Sequence, residues 1–476
     1  MRPTLAAAAA LALLSTPAVA DETRSMLDDQ QSVAVTIYND DLALVKDQRK
    51  IQLGNGRQSL AFRDVSARIR PETALLRSLS SPGKLAVIEQ NFDFDLLTPQ
   101  KLLEKYVGKS VNVIRTNPAT GAETAESAQV LAANNGVVLK IGDRIETGIP
   151  GRLVYPDVPA NLRDRPTLVM LLDNGGAAQQ DVELSYLTGG LSWKADYVAE
   201  LNANDDKLDL SGWVTLTNTS GTTYRDAKLQ LVAGDVNRVR DELRQMPAVA
   251  GLMAKNAAAE SRMAEESLLE YHLYTLDRPT TIAENQTKQV SLLSAAGVPV
   301  RKELVLKGND YYYGSSYGEL GQKMKVGVFI EFDNRETSRL GMPLPKGVVR
   351  VYKKDSAGNA QFVGEDGIDH TPKNEKVRLK LGDAFDVTAD KKQTDFRKLP
   401  NPAKGNALFE SAYEIVLKNA KKETVSVTVQ EPIPGDWKVL ESSQPFEKAA
   451  SNTALWKISV PAEGSATLTY RVQVRY

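Results

Sequence analysis

Gly314-Ser315-Ser316-Tyr317-Gly318 matches the G-x-S-x-G pattern, in which a serine on a strand-to-helix turn is exposed to a general base. His370 follows it in the chain, with Asp366 and Asp369 nearby, so the order of residues permits a Ser316–His370 hydrolase. The context does not support one. The stretch 325–332 has strand periodicity where a helix should follow, and no repeating βαβ pattern surrounds it. No residue is assigned a catalytic role. An envelope hydrolase or glycan-processing enzyme using Ser316 and His370 stands as the alternative reading.

The same segment offers different chemistry. Tyr311, Tyr312, Tyr313 and Tyr317 lie together in a Gly/Ser-rich stretch. Tyrosines that combine an apolar ring with a polar tip suit sugar stacking or protein recognition, and these four form the candidate binding patch. The competing reading is that two of the rings cover the core.

Metal chemistry has little to work with. The chain has two histidines, His272 and His370, and no cysteine. That argues against zinc or copper and excludes thiol catalysis and disulfides. Asp366 and Asp369 lack the register of a calcium loop and read as a solvated turn. Asp93 and Asp95 read as surface carboxylates rather than an acid/base pair. No metal and no cofactor are expected.

The N-terminus directs the chain outward. Met1-Arg2-Pro3-Thr4 carries one positive charge, Leu5 to Leu14 is all Ala and Leu, and Pro17 precedes Ala18-Val19-Ala20. A charged start, a short apolar run and an A-x-A site predict a signal peptide over 1–20, cleaved after Ala20. The run falls short of the ~20 residues that span a bilayer, and no later segment is long and apolar enough. The expected location is periplasmic or secreted. Lys and Arg number 59 and Asp and Glu 60, for a net charge of −1. Without a basic stripe, nucleic acid is not an expected partner. An envelope protein or glycan is, and composition leaves the oligomeric state open.

The elements that must position these residues are strands. Val33, Val35 and Ile37 alternate with smaller or polar residues, and Gly54-Asn55-Gly56 carries a hairpin signal before Leu60 and Phe62. Thr98 and Pro99 predict the start of a short helix with Leu102, Leu103, Tyr106 and Val107 on one face. Residues 107–155 read as a small barrel or sheet extension. Residues 238–271 are rich in Ala, Met, Glu and Arg and read as a helical insertion, with helix from about Ala248 to Glu270. Tyr413, Ile415 and Leu417 alternate, as do Val425, Val427 and Val429. Trp456, Ile458 and Val460 follow suit, then Leu468, Tyr470, Val472, Val474 and Tyr476. Short apolar-faced strands at this spacing predict an immunoglobulin-like β-sandwich over 405–476.

Two runs, Glu183 to Tyr197 (ELSYLTGGLSWKADY) and Gly212 to Gly221 (GWVTLTNTSG), resemble the signature of the domain-of-unknown-function family numbered 4139. So do Leu229 to Asp235, Leu344 to Tyr352 and Phe362 to Asp366, and Val35 to Asn39 fits that family's opening β region. The resemblance covers roughly 168–476. It implies an exported β protein of unknown activity and supplies no catalytic residues. Some relatives, the mucoidy-inhibitor-like proteins, carry a long coiled-coil hairpin, for which this chain has no sustained heptads.

The expected fold is therefore mainly β. An N-terminal β domain (21–165) contains a small barrel-like insertion, and a β-sandwich domain (166–476) contains the helical insertion.

Overall fold

The computed structural model describes residues 22–39, 41–93, 95–134, 136–159, 162–234, 237, 263–400 and 407–476. The fold is mainly β, and its only α-helix among the described residues is Pro99–Lys105. The expected signal peptide lies outside the described residues. No helix is long and apolar enough to cross a membrane, among the described residues. The chain divides into two compact units, one of residues 1–192, 217–230 and 278–286, the other of 193–216, 231–277 and 287–476.

In the first unit, Gln30–Tyr38 and Leu42–Gln52 form an antiparallel pair, with Val35 opposite Val45 and Ile37 opposite Ala43. Val33, Val35 and Ile37 are buried, as their alternation requires. Gly54-Asn55-Gly56 does not close the hairpin that its composition predicts. The strand after it, Gly56–Arg63, pairs with Thr23–Ser25 and Thr167–Asn174, not with Leu42–Gln52. The turn is a corner that carries the chain into another sheet. The preceding backbone is engaged elsewhere, since Leu53 N–H donates to the Ala178 carbonyl and Asn174 donates to that of Gly54. Thr167–Asn174 and Gln179–Thr188 both pair with N-terminal strands. They belong to this unit although they follow the 165/166 boundary read from the sequence.

Arg49 is fully buried in this unit. Its guanidinium donates to Asp47 (2.8 Å) and to the carbonyls of Ser25 and Arg63, and lies 3.8 Å from the centre of the Phe62 ring. The planar fork supplies bonds in directions that an ammonium cannot match. Arg49→Lys is expected to cost about 2 kcal/mol, the scale of lost hydrogen bonds to charged groups. The check is the denaturation midpoint together with amide exchange in the Leu42–Gln52 strand.

Between the paired strands Leu85–Asp93 and Thr167–Asn174 the chain inserts the helix and a five-stranded sheet. Thr98 caps the helix by accepting Lys101 N–H (3.1 Å), and Pro99 occupies its first turn. The sheet runs in the order Arg144–Glu146, Val138–Ile141, Glu123–Ala132, Ser110–Thr116, Arg152–Val154. It is an open antiparallel sheet over its own core of Leu103, Tyr106, Val111, Val113, Val130 and Leu139. Among the described residues the two edge strands do not pair, so the barrel is not closed.

In the second unit, the expected helix meets a correction. Met263–Leu268 is a strand, paired with Tyr271–Leu276 around a turn at Leu269 and Glu270. The sequence of this strand favours helix locally. Its partner, with Leu273, Tyr274 and Leu276 buried, provides cross-strand packing that outweighs the preference. Residues 238–262 of that expectation lie outside the described residues.

Among the described residues the largest sheet has nine strands. Its order is Asp436–Ser442, Gly464–Arg475, Leu408–Asn419, Lys376–Leu399, Glu319–Asp333, Arg301–Lys307, Val425–Pro432, Thr453–Val460, Phe446–Ala450. It folds over a single core like a sandwich. Trp456 and Tyr470 rings lie 4.8 Å apart, and Trp437 and Phe446, from its two outermost strands, lie 6.4 Å apart. The residues of the C-terminal alternation from Tyr413 to Val474 face inward, whereas Tyr476 at its end is exposed.

Candidate functional site

The connection from Arg301–Lys307 to Glu319–Asp333 carries the tyrosine segment. A single 3-10 turn, Asp310–Tyr313, turns the adjacent rings of Tyr312 and Tyr313 inward and leaves Tyr311 outside. Tyr312 and Tyr313 are buried, whereas Tyr311 and Tyr317 are 55% and 37% exposed. The four tyrosines are therefore not one surface: two rings anchor the loop and two are displayed. The displayed pair meets edge to face at 5.9 Å.

The anchors enter a polar cluster inside the sheet's core. Lys391 and Glu431 have no exposed side-chain surface, and the ammonium lies 2.7 Å from both carboxylate oxygens. Tyr313 donates to Glu431 (2.8 Å) and shares a hydrogen bond with Tyr470 (3.1 Å). The Lys391 ammonium also lies 4.3 Å from the Tyr312 ring centre and 5.1 Å from that of Tyr413. Burial pulls the Lys391 ammonium below its usual range, against the opposing pull of Glu431. Burial and the Glu431 charge push the Tyr313 and Tyr470 hydroxyls well up, and burial pushes Tyr413 up to about 12. Gly308 leaves room for the carboxylate, since a Cβ there would stand 2.3 Å from a Glu431 oxygen.

Gln393, also buried, holds the loop backbone. It accepts Tyr317 N–H (2.6 Å) and donates to the carbonyls of Tyr312 (3.3 Å) and Ser315 (3.1 Å). Tyr413 donates to the Tyr312 carbonyl as well (2.7 Å). These bonds fix a segment whose exposed rings would otherwise lose more entropy on binding. Lys391, Gln393 and Glu431 were legible in principle. Val387, Ala389, Lys391 and Gln393 share one face of a strand, as do Val425, Val427, Val429 and Glu431, so polar residues occupy inward positions of apolar stripes.

Each of the other candidates has its own local setting. Ser316 is exposed, and its loop runs from a 3-10 turn into the Glu319–Asp333 strand, so no strand–turn–helix elbow forms. His370 Nδ1 accepts Lys346 N–H (3.2 Å). The Asp366 carboxylate accepts the Gly367 and Lys380 N–H groups, serving the local backbone. Asp93 pairs with Arg163 and Asp95 with Lys105, each at 2.8 Å. His272 meets Glu265 across its hairpin. No group of three or more acidic or histidine residues could hold a metal ion, among the described residues.

The family described as a domain of unknown function, DUF4139, matches residues 182–476. No curated protein matches the chain.

Proposed function

The chain belongs to the DUF4139 family, and from that premise we propose that it is an exported cell-envelope protein that acts by binding, not by catalysis. The observation that carries this reading is the 310–317 loop. Two exposed tyrosines stand on a frame of buried hydrogen bonds, an arrangement that spends core polar groups on holding a surface still. Rigid rings with polar tips provide contact area at low entropic cost. The signal-like N-terminus supports export, and the balanced charge suits a partner recognised by ring contacts more than by field. The exposed Ser316 before a strand favours binding over hydrolysis.

The test places a photo-crosslinking residue at Ser316 and compares the chain with its Tyr311→Ala/Tyr317→Ala variant in its native cells. The expected result is a mature N-terminus at Asp21 and one envelope component captured, reduced about tenfold or more in the variant. An uncleaved cytoplasmic chain, or capture indifferent to both rings, would refute the proposal.

A further inference from the structure

The chain contains three Asn-Gly pairs, Asn55-Gly56, Asn135-Gly136 and Asn174-Gly175. The backbone nitrogen after an asparagine can attack that asparagine's side-chain carbonyl carbon. Glycine, with no Cβ, leaves the approach open. The attack is opposed where hydrogen bonds hold the amide in place and where the attacking N–H is already engaged, because those bonds must first be broken. Asn135 lies outside the described residues. The other two pairs have opposite settings.

Asn174 is 1% exposed. Its Nδ2 donates to the carbonyls of Gly54 (2.8 Å) and Ala177 (3.4 Å), and its Oδ1 accepts Gly176 N–H (2.9 Å) and Gln180 Nε2 (2.7 Å). The attacking group is engaged too, since Gly175 N–H donates to the Lys84 carbonyl (2.8 Å). Asn55 is exposed at the corner between sheets, and its amide makes no hydrogen bond among the described residues. Gly56 has a φ of +77°, with nothing within 4 Å of where a Cβ would stand. The backbone on either side is held. Gly54 N–H donates to Gln58 (2.8 Å), and Gly56 lies opposite Asn174 in the strand pairing.

We infer that Asn55 is a self-modifying site, converted in the folded protein to aspartate and isoaspartate while Asn174 is preserved. Gly56 N bonds to Asn55 Cγ and gives up its proton, the Cγ–Nδ2 bond breaks, and ammonia leaves. Water then opens the cyclic imide. Opening at Cγ gives aspartate, and opening at the main-chain carbonyl gives isoaspartate. One water enters and one ammonia leaves, so the step needs no oxidant and no further reactant. Either product puts a carboxylate on the corner. Isoaspartate also adds a methylene to the backbone that joins the Leu42–Gln52 strand to Gly56–Arg63 in the next sheet.

The full-length protein is held in mildly alkaline heavy-oxygen water and sampled over time by peptide mass spectrometry. The Asn55 peptide is expected to gain a carboxyl group carrying solvent oxygen at least about tenfold faster than the Asn174 peptide. Part of it should accept a methyl group from an isoaspartyl methyltransferase. In denaturant the two sites should react within about threefold of each other, because the fold alone separates them. Asn55→Gln, at an exposed position, should keep the wild-type melting transition and lose the conversion at 55. An Asn55 peptide that takes up no solvent oxygen in the folded protein overturns the inference. So do equal rates at the two sites in the folded protein, or a tenfold difference that persists in denaturant.

Discussion

Lys391→Met is expected to destabilise the protein by about 3–5 kcal/mol, because it leaves the Glu431 carboxylate buried without its counter-charge. Glu431→Leu should act in the same direction by stranding the ammonium. The double replacement Lys391→Met/Glu431→Leu removes both charges along with their desolvation costs. It should recover most of the loss, since apolar substitutes for buried ion pairs are often neutral or stabilising. Denaturant midpoints of the four proteins form a double-mutant cycle whose coupling reads the interaction directly. Single variants within ~1 kcal/mol of wild type would mean that water reaches the pair. The same cycle separates stability from function. Tyr313 donates to Glu431, so even the stable double variant should show faster amide exchange across 308–318 than the wild type.

Stability should also fall steeply above pH 10. Tyr186, Tyr197, Tyr274, Tyr313 and Tyr470 are pushed up by burial, and Tyr224 and Tyr413 are pushed up to about 12. In the unfolded chain these hydroxyls ionise near their usual value of 10.0. The folded state keeps its protons longer. The stabilisation is therefore complete below pH 10 and is lost as the pH rises from there toward each folded value. Tyr224 and Tyr413 alone should each forfeit roughly 2–3 kcal/mol by pH 12, at about 1.4 kcal/mol per pH unit. Lys391 works the other way, because its depressed folded value makes the unfolded chain the better proton binder below 10.5. It is one lysine against seven tyrosines. Denaturation midpoints from pH 8 to pH 12 should fall throughout the upper half of that range, with tyrosinate absorbance appearing in step with unfolding. A flat profile to pH 12 would contradict the burial of these rings.

Several features could be read without coordinates because they depend on neighbours in the chain. The alternation of Val33, Val35 and Ile37, and of Leu468, Tyr470 and Val472, defines strand faces, since successive side chains point to opposite sides. Thr98 caps the next turn through its own hydroxyl, and Pro99 has its torsion preset, so that helix start was local too. The family resemblance was likewise read from contiguous motifs such as Glu183 to Tyr197 and Gly212 to Gly221.

Period-two patterning says which side chains share a face. It does not say which strand lies alongside or which face turns inward. Gly54–Gly56 therefore became a corner between sheets, since the partners that recruit its flanks, around Asn174 and Ala178, lie more than a hundred residues away. Met263–Leu268 became a strand because Tyr271–Leu276 offered it a ladder. Among four similar tyrosines, only the core below the loop decided that Tyr312 and Tyr313 turn in toward Lys391 and Glu431 while Tyr311 and Tyr317 stay out. Local residue types determined strands, cap and candidate rings. Long-range pairing and the need to satisfy buried charge determined which of those rings the protein presents.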